Sequence, residues 1–129
     1  MDLTRSPETT AYAAAEEVRA LNHLTLPRNT YSHPAEVQST ASGLNALLLN
    51  LPQSLDQLTA GLGHLEQTRE LRTHDGSDVA QVVSKARADI AAATAHVHEA
   101  QRALQAVVNG LAVVGMRYVP EDDEERSNA

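Results

Sequence analysis

Val37, Ala41, Leu44, Leu48, Leu51, Leu55, Leu58, Leu62 and Leu65 step along the chain by four and three in strict alternation. That heptad seam is what a helix needs to lay one apolar line against a neighbour. It constrains the fold most because it crosses Pro52 without gaining or losing a residue. A true break would normally reset the phase. Proline removes one backbone hydrogen bond, that of the Leu48 carbonyl, and bends a helix without necessarily ending it. Pro52 also sits beside the seam position Leu51, so its ring need not enter the core. The pattern therefore predicts one long helix over residues 34–72, kinked at Pro52; the alternative is two helices meeting at Asn50.

A second seam follows: Val79, Val83, Ala86, Ile90, Ala93, Val97, Ala100, Leu104, Val107, Leu111 and Val114. It predicts a helix over residues 78–116. Between the two seams, "RTHDGSD" supplies Gly76 for a helix stop and Ser77 or Asp78 for the next cap, with Gln81 completing a capping box. Upstream, Ser6-Pro7-Glu8 reads as a helix start, and Ala11, Ala14, Val18 and Leu21 recur at helical spacing, predicting a helix over residues 7–23. Pro27 and Pro34 flank the loop that follows, with Ser32 a candidate cap for the long helix.

Two long helices with a short connection must lie antiparallel. A turn near residues 75–76 sets Leu58 against Ala93, Leu51 against Ala100 and Leu65 against Ala86, so leucine faces alanine at close spacing. The expected fold is all-α: a long antiparallel, coiled-coil-like helical hairpin with a short N-terminal helix, in a single helical domain over residues 1–120. Residues 121–129 read as an acidic disordered tail. Composition agrees. The core must be built from Leu, Val, Ala and one Ile, because Phe and Trp are absent and three tyrosines are the only aromatics.

So narrow a hairpin cannot cover its own apolar surface. Leu47, Leu49, Val82 and Val108 flank the seams and Val113 lies further round. The first helix can dock at the open end but is too short to cover the rest. A homodimer that completes a helical bundle, or another helical protein doing the same, is the expected partner, with Leu47, Leu49, Val108, Leu111 and Val113 as the contact residues.

Several function classes fall away. A net charge of −7, with nine arginines and one lysine spread along the chain, argues against direct nucleic-acid binding or a grip on anionic lipid. Without cysteine there is no disulfide, thiolate catalysis or Cys-based zinc site. No run approaches the ~18 apolar residues of a membrane span. "MDLTRSPETT" has no apolar stretch of the signal-peptide kind, so a cytoplasmic location is the expectation. His96 and His98 are two apart, which points them to different sides of a helix and does not suit a shared metal. No cofactor or metal and no enzymatic activity are expected.

Arg28 and His33 in "RNTYSH" match the Arg-x4-6-His spacing that resembles HEPN-type RNases. In those helical, often dimeric domains the histidine would do acid–base work and the arginine hold a phosphate. Arg69 and His74 repeat the spacing, and Pro34 directly follows His33. Tyr118 and Asp122 in "YVPED" resemble the export signal of small type VII secretion substrates, but the turn has no W-x-G and Pro120 interrupts the signal. Over most of the chain, "RALNHLTL", "YSHPAEV", "LPQSLDQL" and "HDG" are similar to small uncharacterised helical proteins of actinomycetes. That resemblance implies an actinomycete source and an intracellular accessory role, and supplies no site residues. The reading is a non-catalytic scaffold or adaptor; its rivals are an RNase of the HEPN kind and an exported helical hairpin.

Overall fold

The computed structural model describes residues 1–117, and among these it contains three helices and no strand: α1 (Pro7–Leu24), α2 (Pro34–Thr68) and α3 (Val79–Leu111). The chain divides into two compact units, residues 1–36 with the described residues from 115 on, and Val37–Val114. The proposed tail, Tyr118 and Asp122 lie outside the described residues.

In the first unit, Ser6 caps α1. Its hydroxyl oxygen accepts from the Thr9 N–H at 3.2 Å, and Pro7 occupies the first helical position. The helix shelters little: Val18 and Leu21 are half-buried, while Ala11 and Ala14 are exposed. Its C-terminus is closed by Thr25, whose N–H donates to the Leu21 carbonyl.

α2 starts at residue 34 as expected, but its cap differs. Pro34 is the first helical residue, so the cap is His33, not Ser32. His33 Nδ1 accepts from the Ala35 N–H at 3.0 Å. Ser32 sits one residue earlier and donates its N–H and hydroxyl to the Glu36 carboxylate at 2.7 and 3.1 Å. This works as a capping box displaced by one residue. Those Ser32 bonds, the N–H above all, hold the Glu36 carboxyl below its ordinary value of 4.5.

From there α2 passes Pro52 as one continuous helix. It ends at Thr68, four residues short of the expected 72. The Thr68 hydroxyl donates back to the His64 carbonyl at 2.8 Å, and no basic side chain stands in the last turn to favour its carbonyls. In the connection, Asp75 accepts from the Ser77 N–H at 3.0 Å and Gly76 takes φ +79°, a left-handed conformation that glycine adopts without strain. Asp78 then caps α3. α3 stops at Leu111 and not at 116, where Val113, Val114 and Gly115 are poor helix formers.

In the second unit the contacts between α2 and α3 run in opposite numerical order. Gln38 Nε2 donates to the Val108 carbonyl, Asn45 Nδ2 donates to Gln105 Oε1, and Glu66 pairs with Arg87. Partner numbers on α3 fall as those on α2 rise.

The sheltered positions correct the seams in detail. On α3 the main line is Val79, Val83, Ala86, Ile90, Ala93, Val97, Gln101, Leu104, Val108 and Leu111, with Thr94 and Gln105 half-buried beside it. The alternation of four and three is broken once, by a second four between Val97 and Gln101. Ala100, Val107 and Val114, expected on the seam, are exposed. On α2, Ala41, Leu44, Leu48, Leu51, Leu55 and Leu62 are sheltered as expected. The other sheltered line is Gln38, Asn45, Pro52, Thr59 and Glu66, each one residue after an expected seam position. Leu47 is half-buried beside it, whereas Val37, Leu58 and Leu65 are exposed. Pro52 therefore belongs to the contact line. On α3 the physical reason is the helix period: at about 3.6 residues per turn a straight helix drifts roughly 20° per heptad from a 3.5-residue stripe, toward later residues. On α2 both lines keep the seven-residue spacing, and the offset is a constant rotation of the contact.

Two tests follow from this geometry. Gly43 and Gly61 lie inside α2, and a Cβ added at either would meet nothing within 4 Å. Gly43→Ala and Gly61→Ala should each raise unfolding free energy by about 0.5–1 kcal/mol in denaturant titrations, and Gly76→Ala should lower it. The second concerns acid. Because the folded state depresses the Glu36 carboxyl, its contribution is complete above about pH 4.5 and is lost as pH falls through the lowered folded value. Glu36→Gln should flatten the acid limb of stability against pH; an unchanged slope would remove Glu36 from that role.

Candidate interaction surface

The best-sheltered side chains in the described residues are Ala41, Val83 and Asn45, and none is fully buried. Asn45 is the unexpected one. At 6% exposure it is as sheltered as Val83, and such a carboxamide is costly unless bonded. It is bonded on both sides: Nδ2 donates to Gln105 Oε1 at 2.7 Å, and Oδ1 accepts from Gln101 Nε2 at 3.3 Å. Gln105 Nε2 in turn donates to Asn109 Oδ1 at 2.9 Å. With the Gln38–Val108 bond of 3.1 Å, these contacts tie the first third of α2 to the last third of α3.

Toward the connection, the contact is of another kind. Arg87 crosses Gly63, where an added Cβ would meet its guanidinium at 3.2 Å, to reach Glu66. Asp56, Thr59, Arg87, Ile90, Ala91 and Thr94 line an open groove there. The Arg87 guanidinium is already engaged by Glu66, and no wall closes over the groove to exclude water.

The residues expected to form the contact surface are placed apart. Leu47, Val108 and Leu111 are half-buried, and Val108 lies in the α2–α3 contact through its carbonyl. Leu49 is 58% exposed and, two residues from Leu47, turns to a different flank of α2. Val113 is 88% exposed, past the end of α3. What the structure adds is a row that sequence reasoning had assigned to the seams or their edges: Leu58, Leu65, Val82 and Val107, exposed by 59, 45, 48 and 47%. The readable signal was the polar series Gln38, Asn45, Thr59 and Glu66, sharing the seven-residue repeat of Pro52 immediately after the leucines. A seam of strictly apolar residues hides that series.

The remaining candidates stay separate. Arg28 is exposed in the loop that Thr30 fastens by donating to the Leu24 and Pro27 carbonyls. His33 is exposed, with Nδ1 engaged as the α2 cap. His96 and His98 are exposed, and among the described residues no group of three or more His, Cys, Asp or Glu side chains is placed to hold a metal. No described helix is long and apolar enough to cross a membrane. No family model, no curated protein and no solved structure matches the chain.

Proposed function

We propose that this protein is a non-catalytic, cytoplasmic helical scaffold or adaptor. In this reading α2 and α3 form a long antiparallel, coiled-coil-like hairpin whose apolar flank pairs with a second copy to complete a bundle.

The observation that carries the proposal is the rotational placement of the exposed aliphatic residues. Leu58, Leu65, Val82 and Val107 each precede a sheltered residue by one: Thr59, Glu66, Val83 and Val108. One residue is about 100° of helix. On antiparallel helices, the flank one residue before the contact line opens on the same side of the pair for both. Leu44 and Leu51 on α2 and Ala100 on α3 extend that side. The opposite side, one residue after the line, is mixed: Gln53, Asp56 and Gln67 stand with Ala46, Leu49 and Ala60 on α2, and Ser84, Arg87, His98 and Arg102 with Ala80 and Ala91 on α3.

On α2 the residues one before the Gln38–Glu66 line, Val37, Leu44, Leu51, Leu58 and Leu65, are all aliphatic, while on α3 the same flank alternates Val82, Ala100 and Val107 with Lys85, Asp89 and His96. An aliphatic stripe along one flank is the pattern of a helix that packs onto further helices. The absence of any fully buried side chain among the described residues supports the same reading. Burying the remaining half of each Leu or Val is worth roughly 1 kcal/mol, so a row supplied by two copies is needed before association outweighs its entropic cost. The row itself is self-complementary, large leucines on α2 and smaller alanine and valine on α3, as a two-fold interface requires.

The test is absolute mass by light scattering coupled to size exclusion at several concentrations. The expected result is about twice the 13.8 kDa chain mass, reverting to the chain mass in Leu58→Glu with helical circular dichroism retained. A wild-type mass of 13.8 kDa at every concentration would overturn self-association.

A further inference from the structure

We propose that the carboxamide cluster around Asn45 is a register lock, which selects one pairing of α2 with α3 among apolar alternatives of similar energy. The apolar contact line on α2 repeats itself. Leu48, Leu55 and Leu62 recur every seven residues. On α3, Ala86 and Ala93 repeat at the same interval, as do Val83, Ile90, Val97, Leu104 and Leu111. Sliding α3 by one heptad, about 10 Å at ~1.5 Å per residue, brings aliphatic residues opposite aliphatic residues again. The connection of residues 69–78 is not a tight two-residue turn and does not by itself forbid such a slip.

Asn45 opposes it. In the observed pairing its carboxamide both donates and accepts, to Gln105 and from Gln101. A heptad slip one way places it opposite Thr94 and His98, and the other way opposite Val108 and Ala112. In the second of these a carboxamide at 6% exposure would lose both partners, the kind of unmet hydrogen bonding that costs more than the native bond contributes. In the first it would exchange two matched amides for a hydroxyl and an imidazole, and Gln105 would pass from Asn45 to a place opposite Gln38, so this slip is opposed less strongly than the second. The same slips part Gln38 from the Val108 carbonyl and Glu66 from Arg87. Polar residues within a helix contact can specify register at a cost in stability, and here Asn45 is the best sheltered of several.

The chain has no cysteine, so Gln57→Cys and Ala95→Cys, both at exposed positions, introduce a unique pair of spin labels whose separation reports register. The expected result is one narrow distance distribution in the otherwise wild-type chain. Asn45→Leu and Asn45→Leu/Gln105→Leu should keep helical content and melt no lower, while the distribution splits or shifts by several ångströms. Exchanging the two amides, Asn45→Gln/Gln105→Asn, should retain a single distance. One unshifted, narrow distance in both leucine variants would overturn the lock and leave register to the apolar contacts. Should the leucine variants fail to fold, Gln105→Leu alone carries the test, with the same two readings.

Discussion

A straight α-helix of about 3.6 residues per turn cannot keep a 3.5-residue stripe on one line, and the α3 side of the α2–α3 contact follows that mismatch. Along α3 the sheltered positions follow the expected seam from Val79 to Val97, then step by four to Gln101 and continue through Leu104, Val108 and Leu111. Ala100 and Val107 leave the contact, and Gln101 and the Val108 carbonyl enter it. The polar bonds to Asn45 and Gln38 form where the drift has carried the line off the apolar residues. On α2 the line already runs one residue past the leucines at Asn45, Pro52, Thr59 and Glu66.

The same rotation decides what is left outside. Had the leucine seam been the contact, Leu58 and Leu65 would be covered and the outer surface would be polar. Instead they precede the line, stand exposed, and fall on the same flank of the proposed hairpin as Val82 and Val107. A shift of one residue in the contact thereby converts part of the expected core into exposed aliphatic surface. It also explains why an aliphatic-rich chain holds so few well-sheltered side chains. Within the pair, the strongest directional contacts are carboxamide bonds at one end and the Arg87–Glu66 ion pair, half in solvent, at the other.

Much of the architecture was legible in the residues. Ser6-Pro7 and Asp78 mark two helix starts because their side-chain oxygens or missing N–H suit those positions. The uninterrupted phase across Pro52 correctly signalled one helix, since a phase is kept only if the turns that carry it continue. Less legible were the ends and the α2 cap. Thr68 and Leu111 end helices by competition among weak propensities, and a histidine cap is read only when its ring nitrogen is seen accepting from the Ala35 N–H. The contact residues Leu47, Leu49, Val108, Leu111 and Val113 were chosen by apolarity and position near one end; their rotation about the helix axes was not in that choice.

By itself the sequence determined an all-helical chain, the number and approximate extent of its helices, and the absence of thiol chemistry. Those follow from local causes: backbone propensity, capping chemistry, periodicity and composition. Only the tertiary structure decided which face of each helix is turned inward, because a rotation of one residue leaves local propensity unchanged and exchanges leucine for asparagine in the contact. Asn45 shows this most directly. In the sequence it is a polar residue between Leu44 and Leu48, one of a polar series at seven-residue spacing whose burial no local pattern reveals. In the fold, Gln101 and Gln105, more than fifty residues away, supply the two hydrogen bonds that let it be buried.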